Sequence, residues 1–228
     1  TSVWANGQAY KGTKKRESLL GNMMLTYKKN WKKHFFDVLA LAELQKETYT
    51  GYYTTVSNFS TDKFGYNNLQ AGALRLWEGT NSYYDQPRLA SFMGRFNYTY
   101  ADRYVLTLNA RTDASSKFGA NHKWGFFPSF SAAWRVSEEE FMKDLDWMSN
   151  FKVRFGWGVV GNDRITNYLS MDLYTDNKYG IGNNTVTVLT PKQLKNSDLK
   201  WEGSSTVNLG LDLGFFDNLS LIHISEPT

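Results

Sequence analysis

The feature that most constrains this chain is strict alternation. Residues 91–100 read SFMGRFNYTY, with Phe92, Gly94, Phe96, Tyr98 and Tyr100 at even positions and Ser91, Met93, Arg95, Asn97 and Thr99 between them. Successive side chains of a strand point to opposite faces, so this spacing specifies a strand with one apolar and one polar face. After Ala101, Asp102 and Arg103 the alternation resumes. Tyr104, Leu106, Leu108 and Ala110 oppose Val105, Thr107, Asn109 and Arg111, which predicts a hairpin.

The pattern recurs along the chain. Phe126, Pro128, Phe130, Ala132, Trp134 and Val136 oppose Phe127, Ser129, Ser131, Ala133 and Arg135. Pro128 weakens that strand, because proline has no ladder donor and favours edges or bulges. Phe151, Val153, Phe155, Trp157 and Val159 form another apolar face, as do Ser205, Val207, Leu209, Leu211 and Leu213. Nearer the start, Leu19, Gly21, Met23, Leu25 and Tyr27 precede Phe36, Val38, Ala40, Ala42 and Leu44, with Asp37 and Glu43 opposite. Residues 37–46 contain Ala, Leu, Glu and Gln, so helix is the rival reading there. Ser137 and the run Glu138, Glu139, Glu140 form a capping-box pattern, which predicts a short, solvated helical turn to about Met148.

Connections alternate in length. Residues 28–33, 101–103, the segment after Val136 and residues 214–218 are short; residues 49–87, 113–123 and 161–200 are long. An up-and-down meander with short turns at one rim and long loops at the other produces this order. Transmembrane barrels have short periplasmic turns and long extracellular loops. Tyr98, Tyr100, Tyr104, Trp134 and Trp157 fall at strand ends, where interfacial aromatic residues sit. The expected fold is therefore all-β, an antiparallel up-and-down transmembrane β-barrel. The alternative is a soluble or surface β-sandwich that binds carbohydrate.

Composition agrees with a β-rich wall. Aromatic residues make up 16% of the 228 residues, too many for a disordered chain. Mean hydropathy is −0.51, which a barrel tolerates because only alternate residues meet lipid. No apolar run approaches the ~18 residues of a transmembrane helix. There is no Cys, which excludes thiolate metal sites and Cys nucleophiles. Phosphate loops, G-x-S-x-G and H-E-x-x-H are also missing, so no catalytic residue, metal site or cofactor is expected and the chain does not read as an enzyme. His34 and His122 read as surface residues. The cluster Lys28, Lys29, Lys32 and Lys33, with Trp31, reads as a solvated turn and not as a nucleic-acid site.

The ordered series GRFNYTYADRYVLTLNARTDASSKFG, WGFFPSFSAAWRVSEEEFM, FKVRFGWGVVGN and NSDLKWEGSSTVNLGLDLGFFDN resembles the SusC/RagA family of TonB-dependent outer-membrane transporters. The similarity covers roughly residues 17–218 and is weaker before Arg88 and over 163–193. The resemblance implies a barrel of about 22 strands in the outer membrane of a Gram-negative cell, enclosing an N-terminal plug. It implies TonB as the energy-coupling partner, acting through a TonB box, and a SusD-like surface lipoprotein as a lid. Outer-membrane lipid would surround the wall, and the ligand would be an oligosaccharide or a peptide. About seven strands are readable, fewer than the eight of the smallest barrels. Residues 1–218 are therefore expected to be part of the barrel domain, an internal fragment without plug or TonB box. Residues 219–228, LSLIHISEPT, resemble a translated sequencing adapter and are expected to be non-native.

Two groups of residues carry the expected function. Trp77, Tyr83, Tyr84, Tyr168, Tyr174 and Tyr179 lie in long loops among amides and carboxylates. Aromatic faces can stack on sugar rings while polar neighbours bond hydroxyls, so these are candidate ligand or lid contacts; loop self-packing is the plainer reading. Arg95, Asn97, Asn109, Arg111, Asp113, Lys152, Arg154 and Asn208 are candidate lumen or plug contacts. Arg111 and Asp113 alternatively form an ion pair at the loop rim.

Overall fold

The computed structural model describes residues 6–75, 79–145, 147–182, 184–216 and 219–225. The strands are β1 (Gln8–Trp31), β2 (His34–Phe59), β3 (Gly72–Leu74), β4 (Thr80–Asp85), β5 (Arg88–Tyr100), β6 (Tyr104–Ser115), β7 (Trp124–Arg135), β8 (Met148–Asn162), β9 (Leu173–Ile181), β10 (Asn184–Gln193), β11 (Glu202–Phe215) and β12 (Leu219–Ser225). The principal sheet has the order β1-β2-β5-β6-β7-β8-β11-β12, with β3 and β4 paired to β2. The rival helix at 37–46 does not form.

The chain divides into two compact units, Thr1–Leu20 with Gln45–Arg88, and Gly21–Leu44 with Leu89–Thr228. In the first, the end of β2 pairs with β4 over Tyr49↔Asp85 to Thr54↔Thr80, and with β3 at Ser57↔Leu74 and Phe59↔Gly72. Val56 and Ser57 are buried there. Residues 49–87, expected to be a loop, thus hold the end of β2, β3 and β4. Cross-strand pairing satisfies backbone groups that a long open loop would leave to water.

The second unit is the meander. Tyr100 closes on Arg103 through a backbone hydrogen bond of 3.0 Å. Ala101 and Asp102 both have positive φ, 52° and 57°. That geometry follows the twist of the flanking strands and lets three residues join β5 to β6. The registers Phe96↔Leu108, Leu108↔Phe130, Phe130↔Trp157 and Trp157↔Val207 put all five side chains on one face. The registers Arg95↔Asn109, Asn109↔Ser129, Ser129↔Gly158 and Gly158↔Thr206 define the opposite, polar face.

These faces distinguish a membrane wall from a sandwich. A sandwich buries its apolar faces against each other. Here Phe92, Phe126 and Leu209 are 46%, 63% and 50% exposed. Among the described residues, the buried hydrophobic set is Leu39, Val56, Phe118, Phe127 and Val136. The apolar face is thus a band for hydrocarbon, where backbone groups must pair with neighbouring strands.

Pro128 is accommodated because of where one ladder ends. It sits opposite Ala110 on β6, whereas the β7–β8 ladder runs only from Ser129↔Gly158 to Arg135↔Lys152. Above it, Phe127 fills the space. A Cβ on Gly161 would lie 2.1 Å from its ring, and one on Gly125 2.4 Å.

Three further expectations are corrected. The segment after Val136 forms two 3-10 turns, Val136–Glu138 and Glu140–Met142, with no side-chain cap; Glu139 is buried and spends its carboxylate elsewhere. Residues 161–200 contain the β9–β10 hairpin, a separate two-stranded sheet. His34 is no open surface residue: its Nδ1 lies 2.8 Å from the Tyr98 hydroxyl, and its ring centroid is 4.9 Å from that of Tyr100. The short link at 214–218 lies partly outside the described residues. β12 pairs with β11 from Leu209↔Ser225 to Phe215↔Leu219.

Candidate functional site

The polar face of the second unit is a wall of charge-assisted hydrogen bonds. Arg111 Nε donates to both carboxylate oxygens of Asp113, at 3.0 and 2.9 Å, and Nη2 donates to Ser91 at 3.1 Å. Arg and Asp are two positions apart on β6, so both project from the same face. Arg154 makes a two-pronged contact with Asp212 at 3.0 and 2.7 Å, and Lys152 lies 3.8 Å from the same carboxylate. Asn109 donates to Ser129 at 3.1 Å. These groups are spent on neighbours within the wall.

Others are not. Among the described residues, Arg95 Nε, Asn208 Oδ1 and Asp37 Oδ1 are buried atoms without a hydrogen-bond partner. An unpaired buried polar atom is costly, about 1–3 kcal/mol, so these atoms mark where a partner would gain most. Asn97 faces the same side, opposite Thr107.

At the long-loop end, three connections pack on one another. Phe118, 2% exposed, meets Trp201 at a centroid distance of 5.0 Å, and Phe127 meets Trp201 at 5.2 Å. Trp201 Nε1 donates to the Lys123 carbonyl at 2.8 Å. Lys117 Nζ donates to the Asp163 carbonyl at 2.9 Å and lies 3.5 Å from its carboxylate. Ser170 donates to the Lys117 carbonyl at 3.2 Å. The sequence reasoning missed Phe118 and Trp201; an aromatic residue in each of two loops was the available signal.

The expected aromatic contacts do not converge. Trp77 lies outside the described residues. Tyr83 and Tyr84 are adjacent on β4 and project from opposite faces. Tyr83 lies flat against Gly51, whose Cβ would be 2.6 Å from its hydroxyl. Tyr84 accepts a hydrogen bond from Gln86 at 2.7 Å. Tyr174 and Tyr179 sit on opposite faces of β9, and Tyr168 occupies a loop with φ of 66°. In the first unit, Glu47 instead gathers Arg16 at 2.6 Å, Gln45 at 3.1 Å and the Tyr49 hydroxyl.

An alternating sheet with an exposed apolar face, a hydrogen-bonded polar face and short turns opposite long connections defines part of a transmembrane β-barrel. Comparison with known proteins makes the class specific. A family described as TonB dependent receptor-like, beta-barrel, matches residues 3–225, and the chain belongs to that family, within its SusC/RagA group in the outer membrane. It is 35% identical over 199 residues to "TonB-dependent receptor P3" of Formosa agariphila, covering 87% of this chain and 20% of that protein. It is 38% identical over 141 residues to "TonB-dependent receptor SusC" of Bacteroides thetaiotaomicron, covering 60% of this chain and 14% of that protein. The RagAB peptide transporter structure superposes with a TM-score of 0.75 at 25% identity, over 94% of this chain and 23% of that one. The chain thus spans 14–23% of these relatives' length.

Proposed function

We propose that this chain is wall from a TonB-dependent importer that takes up oligosaccharides or peptides across the outer membrane. The observation that carries this reading is the two-faced sheet, apolar and exposed on one side, polar on the other, in a chain of the SusC/RagA group. A relative's description supports the peptide class, since RagAB is described as a peptide transporter, and the resemblance to the SusC/RagA family supports the oligosaccharide class. In the importer a plug would fill the barrel, TonB would act on that plug, and a SusD-like lipoprotein would cover the loop end.

Arg95 and Asn208 are the proposed plug contacts, because each has a buried atom that the wall leaves unpaired. Asn97 shares their face. Asn109, Arg111, Asp113, Lys152 and Arg154 brace the wall and contact the plug second. Trp77, Tyr83, Tyr84, Tyr168, Tyr174 and Tyr179 remain proposed ligand or lid contacts, on separate surfaces and not as one pocket. Residues 219–228 remain proposed as adapter-derived.

Uptake by cells expressing the full-length parent tests the reading. Labelled oligosaccharides and peptides should accumulate only with TonB and a proton gradient. Recovery of the parent as a soluble protein without detergent, or uptake indifferent to TonB, would sink it.

A further inference from the structure

The apolar face of the second unit is not uniform. Ala40 and Ala42 on β2, Gly94 on β5 and Ala110 on β6 are small, and Met23 and Phe126 rise on either side. Together they outline an open groove of about 650 Å³. Phe92 stacks on Trp124 at a centroid distance of 6.1 Å beside it. The groove offers an occupant a mostly apolar lining. The Thr112 hydroxyl is committed to the Gly125 carbonyl at 2.9 Å, and Arg111 turns to the other face to bind Asp113. Such a lining suits a hydrocarbon occupant, and the groove is continuous with the exposed apolar band.

Its height selects the leaflet. Residues 23–25, 40–42, 92–94, 110 and 126 all lie about 7–10 residues from the short turns at 32–33, 101–103 and after Arg135. At roughly 3.3 Å per residue and a tilt of about 40°, that is roughly 20 Å from the short-turn rim. The apolar band of such barrels is about 25 Å tall, which places the groove on the side of the long connections.

We propose that this groove is a lipid site that seats one acyl chain of an outer-leaflet lipid. The small residues lower the floor by the volume of their missing side chains, so the chain gains contact with Met23 and Phe126 that a level wall would not provide. A second copy of the protein would need a complementary ridge; an acyl chain needs only the groove.

The full-length transporter, extracted from outer membranes and weighed intact by native mass spectrometry, tests this. The wild type should retain one outer-leaflet glycolipid mass. Gly94→Phe should lose it, and a Cβ at Gly94 meets nothing within 4 Å, so the ring can fill the groove without displacing the wall. Ala42→Leu should lose it as well, whereas Val207→Leu, elsewhere on the same face, should keep it. A photo-crosslinker at position 126 should capture lipid in intact membranes. The proposal fails if the wild type carries no lipid, if both groove variants retain it, if the retained mass is an inner-leaflet phospholipid, or if the crosslink joins two copies of the protein.

Discussion

The Glu139 carboxylate accepts a hydrogen bond of 2.6 Å from the Tyr104 hydroxyl. Its other contacts come from the Trp134 indole at 3.1 Å and the Arg103 guanidinium at 2.9 Å. Tyr104 and Trp134 face each other across β6 and β7, with rings nearly parallel and centroids 6.4 Å apart. One acid behind the 3-10 turn therefore fixes the polar tips of two ring-stacked residues at the short-turn rim. Tyr104→Phe and Glu139→Gln should each lower the heat-modifiability midpoint of the refolded parent barrel. The double variant should cost less than the sum, since both remove the same bond.

The same clasp predicts a pH dependence. Hydrogen bonds from Tyr104 and then Trp134 hold the Glu139 carboxyl below its ordinary range. A depressed carboxylate stabilises the fold above its unfolded pKa, about 4.3, and that contribution disappears as pH falls through the lower folded value. The midpoint difference between wild type and Glu139→Gln should be constant near neutrality and shrink under acid. A difference that grew below about pH 4 would contradict this assignment.

Gly161→Ala should destabilise the wall through Phe127, whose ring lies 2.1 Å from the added Cβ. Adding Phe127→Ala should relieve the clash, so the double variant should be more stable than Gly161→Ala plus Phe127→Ala would predict by addition. Urea unfolding of the four proteins measures the coupling.

Trp201→Ala removes the ring that Phe118 and Phe127 pack on; because Trp201 is only half-buried, the loss should fall below the roughly 3–5 kcal/mol of a fully buried aromatic residue. The damage should stay local. Limited proteolysis should accelerate at 116–123 and 194–201, while the strand content seen by circular dichroism should hold.

The faces of β5 through β8 were legible in the sequence because one side meets hydrocarbon and alternation is then enforced at every position. Where that constraint lapses, so did the reading. β9 and β10 carry mostly exposed residues on both sides, Tyr174 and Tyr179 among them, and read as loop. Ser137 and Glu140 matched a capping box by spacing, but the carboxylate that organises this turn is Glu139, whose partners Tyr104 and Arg103 lie more than 30 residues away in sequence. Trp201 was invisible for the same reason. The candidate polar face was legible as a set; which members are paired, such as Arg154 with Asp212, and which are left over, such as Arg95, depended on cross-strand register.

The early end of the β7–β8 ladder at Pro128 has a mechanical consequence. Beyond Ser129↔Gly158 the two strands lie side by side without continuing their backbone rungs, and the Phe127 ring closes the gap. Packing resists compression but yields to shear more readily than a row of aligned amides. Under a pull on the long connections, the wall should open first along this seam, and amides facing it should exchange with deuterium sooner than those around Ala133 and Arg154.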